Sequence, residues 1–264
     1  MTVRTDTRGR VLVVTIDRPE TRNAVDGPTA DALLHAFTDF GAADDLDVAV
    51  LTGAGGTFCS GADLKAVGAG NGNRIHQDMA MPGPLGCTRL ALSKPVVAAV
   101  EGHAVAGGLE LALWCDLRVA SRTAVFGVFC RRWGVPLVDG GTVRLPRLIG
   151  QSRALDMILT GRAVQADEAL AWGLANRLCG PGAALDTAVE LATALSAFPQ
   201  ACLRADRASS TEQWGLDLTD AMANEVRHGL APVRAGETLS GAARFAGGEG
   251  RHGHDAPPAS DLRE

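Results

Sequence analysis

Residues 95–116 read PVVAAVEGHAVAGGLELALWCD, and the fold and function of the chain turn on them. Pro95 opens a short apolar run from Val96 to Val100, too short for a helix and bounded by Pro and Gly. That is the pattern of a strand buried on both faces. Gly102, Gly107 and Gly108 then break the chain, and from Leu109 the run Leu-Glu-Leu-Ala-Leu-Trp has the composition of a buried helix. A strand, a glycine turn and a helix start leave free backbone N–H groups at the positive end of a dipole. Two adjacent glycines let a ligand oxygen come against the backbone itself. Glu110 falls in the first helical turn beside that spot. Donors next to one carboxylate suit stabilisation of an oxyanion beside a proton transfer. A glycine-softened buried helix, with Glu110 favoured only by the dipole, fits the same letters.

A second stretch repeats the grammar. Asp47 to Thr52 is another buried-strand pattern, followed by Gly53-Ala54-Gly55-Gly56 and then Phe58-Cys59-Ser60-Gly61-Ala62-Asp63-Leu64. Together the two stretches resemble the oxyanion-hole segments of the crotonase (enoyl-CoA hydratase/isomerase) superfamily. The first is similar to F-x-x-G-x-D-[LIV], and the second to G-x-A-x-G-G followed by a helix carrying an acid. The resemblance implies that the backbone N–H groups of Ser60 and Gly107 form the oxyanion hole and that Glu110 is the acid/base group. It also places Ser60, Ala62, Asp63 and Leu64 along the CoA thioester.

Composition sets compatible limits. The 264 residues, 46% hydrophobic and 21% charged, are those of a globular chain with a sizeable core. No apolar run reaches the length of a membrane span, and the start MTVRTDTRGR lacks a signal-peptide core, so a cytoplasmic protein without membrane partner is expected. The six cysteines are scattered without metal spacing, as expected of reduced thiols. A net charge of −5, with Lys65 and Lys94 the only lysines, argues against a nucleic-acid partner. Neither a Walker loop nor a strand-linked GxGxxG is present, and His252 and His254 lie in a Gly/Pro-rich tail read as solvated.

From the start, residues 11–16 read as a strand and lead into Asp17-Arg18-Pro19-Glu20-Thr21-Arg22-Asn23-Ala24. Its R-P-x-x-x-N-A pattern resembles the family loop that runs along CoA, making Arg22 and Ala24 candidates; Arg18 could equally be an exposed loop arginine. Residues 28–40 form an amphipathic helix capped by Asp26, and Asp44 to Asp47 read as a solvated turn. The glycine- and proline-rich stretch 66–84 is expected to be irregular; the resemblance implies that it walls an acyl pocket, which Met79 and Met81 would line, though the two could equally just cover the core. Short strands follow at 117–120 and 124–128, then helices from 143, 152, 166, 181, 200, 216 and 236. The organisation is mixed α/β over residues 1–195 and helical over 196–264. The resemblance implies a spiral of repeated ββα units, with C-terminal helices assembling a homotrimer or dimer of trimers, and Phe245 and Arg251 reaching a neighbour's site.

The resemblance further implies an acyl-CoA substrate and no cofactor beyond the CoA it carries. Hydratases of the family bracket water between two glutamates. The second position falls on Cys130, a thiol in place of a carboxylate. Asp139 stands where some relatives carry an aspartate, though a turn or capping residue fits as well. The leading expectation is an enoyl-CoA hydratase. The alternatives are a double-bond isomerase, which can work with one carboxylate, and a non-catalytic acyl-CoA binding protein.

Overall fold

The computed structural model describes residues 1–250. Its main sheet has six strands: β1 (Val3–Arg8), β2 (Val11–Ile16), β3 (Val48–Gly53), β4 (Val96–Val100), β6 (Leu117–Ser121) and β9 (Arg177–Cys179), adjacent in that order. β1 and β2 pair antiparallel, and every other neighbour in this sheet is parallel. A second sheet joins β5 (His103–Val105), β7 (Val125–Gly127) and β8 (Ala163–Gln165). The chain passes from β4 to β5 and from β6 to β7, giving one strand to each sheet at these two turns. That alternation is the repeated two-strand unit of the spiral.

The apolar runs are continuous because both faces of the main sheet are covered. Val11, Val13, Val48, Val50, Val97, Ala99 and Val119 point to one side and pack with Ala184, Ala188, Leu191 and Ala192 of α7 (Ala184–Ser196). The alternate residues, among them Val14, Leu51, Ala98 and Ala120, join the larger core with Leu33, Phe37 and Phe40 of α1 (Gly27–Ala42). Period-two alternation thus sorts each strand between two buried clusters.

Asp26 caps α1 by accepting the Thr29 N–H at 3.0 Å. The other end of α1 is closed by Lys94, which is 3% exposed. Its ammonium donates to Phe40 O at 2.9 Å and to Ala43 O, where a cation meets the negative end of the dipole.

One element carried no sequence signal, and one expectation is corrected here. The N-terminal hairpin carries little pattern, since only Val3 of β1 is buried, and Gly9 at φ 61° makes its turn. Asp47 is not solvated: it is 3% exposed and accepts from Arg10 Nη2 at 3.0 Å and Arg204 Nη2 at 2.8 Å. Those partners arrive from the hairpin and from α8 (Gln200–Glu212). Arg207 ties α8 to Asp116 at 2.8 Å. α9 (Leu218–Arg234) and α10 (Glu237–Ala246) follow. No helix among the described residues is long and apolar enough to cross a membrane. Arg251, His252 and His254 lie outside the described residues.

Candidate active site

The two glycine motifs meet because backbone lies on backbone. Cys59 N–H donates to His103 O at 2.9 Å and Val105 N–H to Cys59 O at 3.1 Å, a bridge between the first motif and β5. A Cβ on Gly108 would stand 2.0 Å from Cys59 O, so only glycine permits this approach. Ala106, at φ 53° and ψ −125°, makes the turn into α3 (Gly107–Trp114). A side chain in that region costs ~1–3 kcal/mol, strain that sits at the mouth of the helix.

Ser60 is corrected as an oxyanion donor. Its N–H is spent on Arg22 O at 3.1 Å. Gly61, at φ 98°, then turns the chain so that Ala62 faces α3. A Cβ built on Gly107 would meet Gly61 Cα at 3.3 Å and Ala62 N at 3.4 Å. Among the described residues, neither the Ala62 nor the Gly107 N–H has a protein acceptor. Both residues are half-buried, which makes this adjacent pair of donors the candidate seat for a ligand oxygen.

Glu110 lies in the first turn of α3 and is 2% exposed. Its Oε1 accepts the N–H groups of Asp139 at 2.9 Å and Gly141 at 2.8 Å. Burial raises its pKa to about 7; the Gly141 N–H opposes that shift and the negative charge of Asp139 adds to it. A carboxyl group poised there can both give and take a proton near neutral pH.

Asp139 is also buried, at 4% exposed. It does not cap α4 (Gly141–Ile149), whose first turn has no side-chain cap. Its Oδ1 instead accepts from Leu85 N–H at 3.0 Å and from the Thr88 hydroxyl. Burial pushes its pKa up, while Thr88, Leu85, Arg89 and Arg144 hold it down. Cys130, 7% exposed, has its thiol pushed up by burial and then by the charge of Glu110. Glu110, Asp139 and Cys130 therefore form one electrostatic cluster. The sequence pointed to all three but missed Thr88, Leu85 and Arg144; Leu85 and Thr88 reach Asp139, and Arg144 reaches Thr88, across more than fifty residues.

The residues expected along CoA divide. Asp63 caps the short α2 (Leu64–Gly68), accepting from Lys65 N–H at 3.0 Å and Ala66 N–H at 3.3 Å. It also pairs with Arg18 at 3.1 Å, as does Asp26 at 3.1 Å, so Arg18 is neither exposed nor free. Ala24 is buried, and its carbonyl accepts from Arg18. Arg22 and Leu64 remain exposed beside Ala62. The staple of this loop is Asn23, which accepts from Arg18 N–H at 2.9 Å and donates to Ala54 O at 2.8 Å.

A cavity of about 800 Å³ lies between the start of α1 and residues 70–86, lined by Ala30, Asn73, Arg74, Met81, Gly83 and others. Gly83 reaches the acid cluster, since a Cβ there would stand 3.1 Å from Asp139 Oδ1. Met81 lines this space, whereas Met79 is 70% exposed and does not.

The chain has known relatives. The chain is 35% identical over 246 residues to enoyl-CoA hydratase EchA19 of Mycobacterium tuberculosis, covering 90% of this chain and 91% of that one. It is 40% identical over 186 residues to mevalonyl-coenzyme A hydratase sidH of Aspergillus fumigatus, covering 70% and 69%. The crystal structure of enoyl-CoA hydratase EchA1 from Mycobacterium marinum superposes with a TM-score of 0.88 at 37% identity, covering 97% of both chains. The family model for enoyl-CoA hydratase/isomerase matches residues 6–246. Paired glycine turns, an acid in the first turn of the second helix and these likenesses together show that the chain belongs to the enoyl-CoA hydratase/isomerase family.

Proposed function

We propose that the chain is an acyl-CoA hydratase that holds a thioester carbonyl on the Ala62 and Gly107 N–H groups while Glu110 transfers a proton. The observation carrying this is the placement of Glu110 on the helix that begins with Gly107, buried and with Oε1 fixed by two N–H groups. Addition of water to a 2-enoyl thioester builds negative charge on the thioester oxygen. Preorganised N–H donors stabilise that charge more than they stabilise the neutral carbonyl. With Oε1 held, the second oxygen of Glu110 is the atom that takes a proton from water or returns one to the α-carbon. These steps use backbone and side chains alone, CoA entering as part of the substrate.

A second reading, isomerisation by one shuttling carboxylate, is favoured by Cys130. A thiol whose pKa is raised is a poor base for water. A spectrophotometric assay with crotonyl-CoA and a 3-enoyl-CoA separates the readings. Hydration of crotonyl-CoA supports the first, and conversion of the 3-enoyl thioester alone supports the second. Binding of both without turnover leaves a non-catalytic acyl-CoA protein. Cys130→Glu should raise crotonyl-CoA hydration by ~10-fold or more, because a placed carboxylate contributes ~10²–10⁴-fold. A fall in rate would remove Cys130 from the position of the second acid.

We also infer that the protein is a homo-oligomer, a trimer or a dimer of trimers. Leu218, Met222 and Val226 recur every fourth residue on α9 and are 77%, 62% and 61% exposed. Such a stripe is a face that association would cover. Sedimentation at micromolar concentration should give a species several times the 27.3 kDa chain, and a monomer would refute it. The same covered face would bring Phe245, at 62% exposed, toward a neighbour.

A further inference from the structure

We propose that Arg144 is a positioning residue that locks Glu110 and Asp139 into one catalytic geometry by bridging the Thr88 and Asp139 carbonyls. This rests on the acid/base reading of Glu110. Arg144 projects from the first turn of α4, donating from Nη1 to Asp139 O at 2.7 Å and from Nη2 to Thr88 O at 2.8 Å. These are the two segments that hold the acids. The turn 138–141 supplies both N–H groups on Glu110, and residues 85–88 supply both donors to Asp139. Asp139 is therefore gripped at its N–H, its carbonyl and its carboxylate, each by a different element.

The planar fork matters because two acceptors from distant segments must be met at once. Gly140 is shaped to it: at φ 97° it has no side chain, and a Cβ there would stand 2.3 Å from Arg144 Nη1. The guanidinium is also the charge facing the pair from α4. Asp139 is faced in addition by Arg89 and Glu110, Glu110 by Asp139 and the Cys130 thiol, and Arg144 by the thiols of Cys87 and Cys115. Against that set, removing Arg144 withdraws a positive charge from two carboxyl groups, and both should hold their protons to higher pH.

The test combines kinetics with ¹³C carboxyl titration of the full-length protein labelled at Asp and Glu. R144M should lower kcat by ~10²-fold with KM for crotonyl-CoA nearly unchanged, the cost of a misplaced acid. The Glu110 and Asp139 titrations should both move to higher pH. R144K keeps the charge but offers one ammonium to two carbonyls, so its titrations should stay near wild type while kcat falls ~10-fold. If R144M does not fold, R144K alone decides, since a purely structural arginine would leave kcat per folded enzyme unchanged. Wild-type kcat in either folded variant, or unmoved titrations in R144M, overturns the proposal. If the wild type turns over neither thioester, the functional reading fails. The titrations then still decide whether Arg144 sets the two acids.

Discussion

Glu110→Gln should lower turnover at least ~10²-fold and at the same time make the protein harder to unfold above neutral pH. The two effects share one cause. Gln keeps an oxygen for the Asp139 and Gly141 N–H groups, so the geometry survives, but it cannot carry the proton. In the native protein the carboxyl pKa is raised from its ordinary 4.5 to about 7, so folding favours the protonated form. The folded state binds the proton more tightly than the unfolded chain. Stability is therefore lost as pH rises through the interval from 4.5 to 7, and the penalty above it is of order about 3 kcal/mol. Gln carries no such penalty. Its stability should exceed wild type at pH 8 and converge with it below pH 4, which urea titrations at the two pH values would measure. An equally active variant would remove Glu110 from the chemistry. Asp139→Asn is the companion measurement, since Asn can still accept from Leu85 and Thr88. If Asp139 is the second acid, its variant should lose a similar factor and one limb of the pH–rate profile.

Gly107→Pro should reduce kcat by ~10²–10³-fold, the loss found when one oxyanion donor is removed. Proline suits the first position of a helix but opposes the φ 53°, ψ −125° turn of Ala106 before it, so kcat is compared per folded enzyme. What disappears is one of the two N–H groups without a protein acceptor. Gly107→Ala is the control for crowding: its Cβ would meet Leu85 Cδ1 at 2.8 Å, the end of a side chain that can turn aside. The alanine variant should therefore keep most of the activity that the proline variant loses. Calorimetric binding of CoA should be nearly the same in both, because the deleted donor faces the acyl carbonyl. Equal kinetic losses in the two would mean that space, and not the N–H, is what position 107 supplies.

Local pattern carried far in this chain. Uninterrupted Val/Ala runs marked β3 and β4, Asp26 marked the start of α1, and the glycine pairs marked both halves of the donor site. What failed depended on chain arriving from elsewhere. The first motif located the donor segment, but the choice between Ser60 and Ala62 was made by Arg22 O capturing one N–H and by Gly61 turning the next. Asp47 looked like one of a solvated acidic run until Arg10 and Arg204 closed over it. β1 was silent because Thr5, Asp6 and Thr7 face solvent and a single valine enters the core. Arg144 carried one faint signal, an arginine just after two glycines at a helix start, and nothing in the letters says which carbonyls it will meet.

The burial of Lys94 under the end of α1 makes the protein chemically addressable. With that ammonium enclosed and committed to two carbonyls, Lys65 is the one exposed lysine in the sequence. It sits just past Ala62, on the rim of the donor pair. Apart from the chain's α-amino group, an amine-directed fluorophore would therefore attach to this lysine alone, where an arriving thioester would change its surroundings.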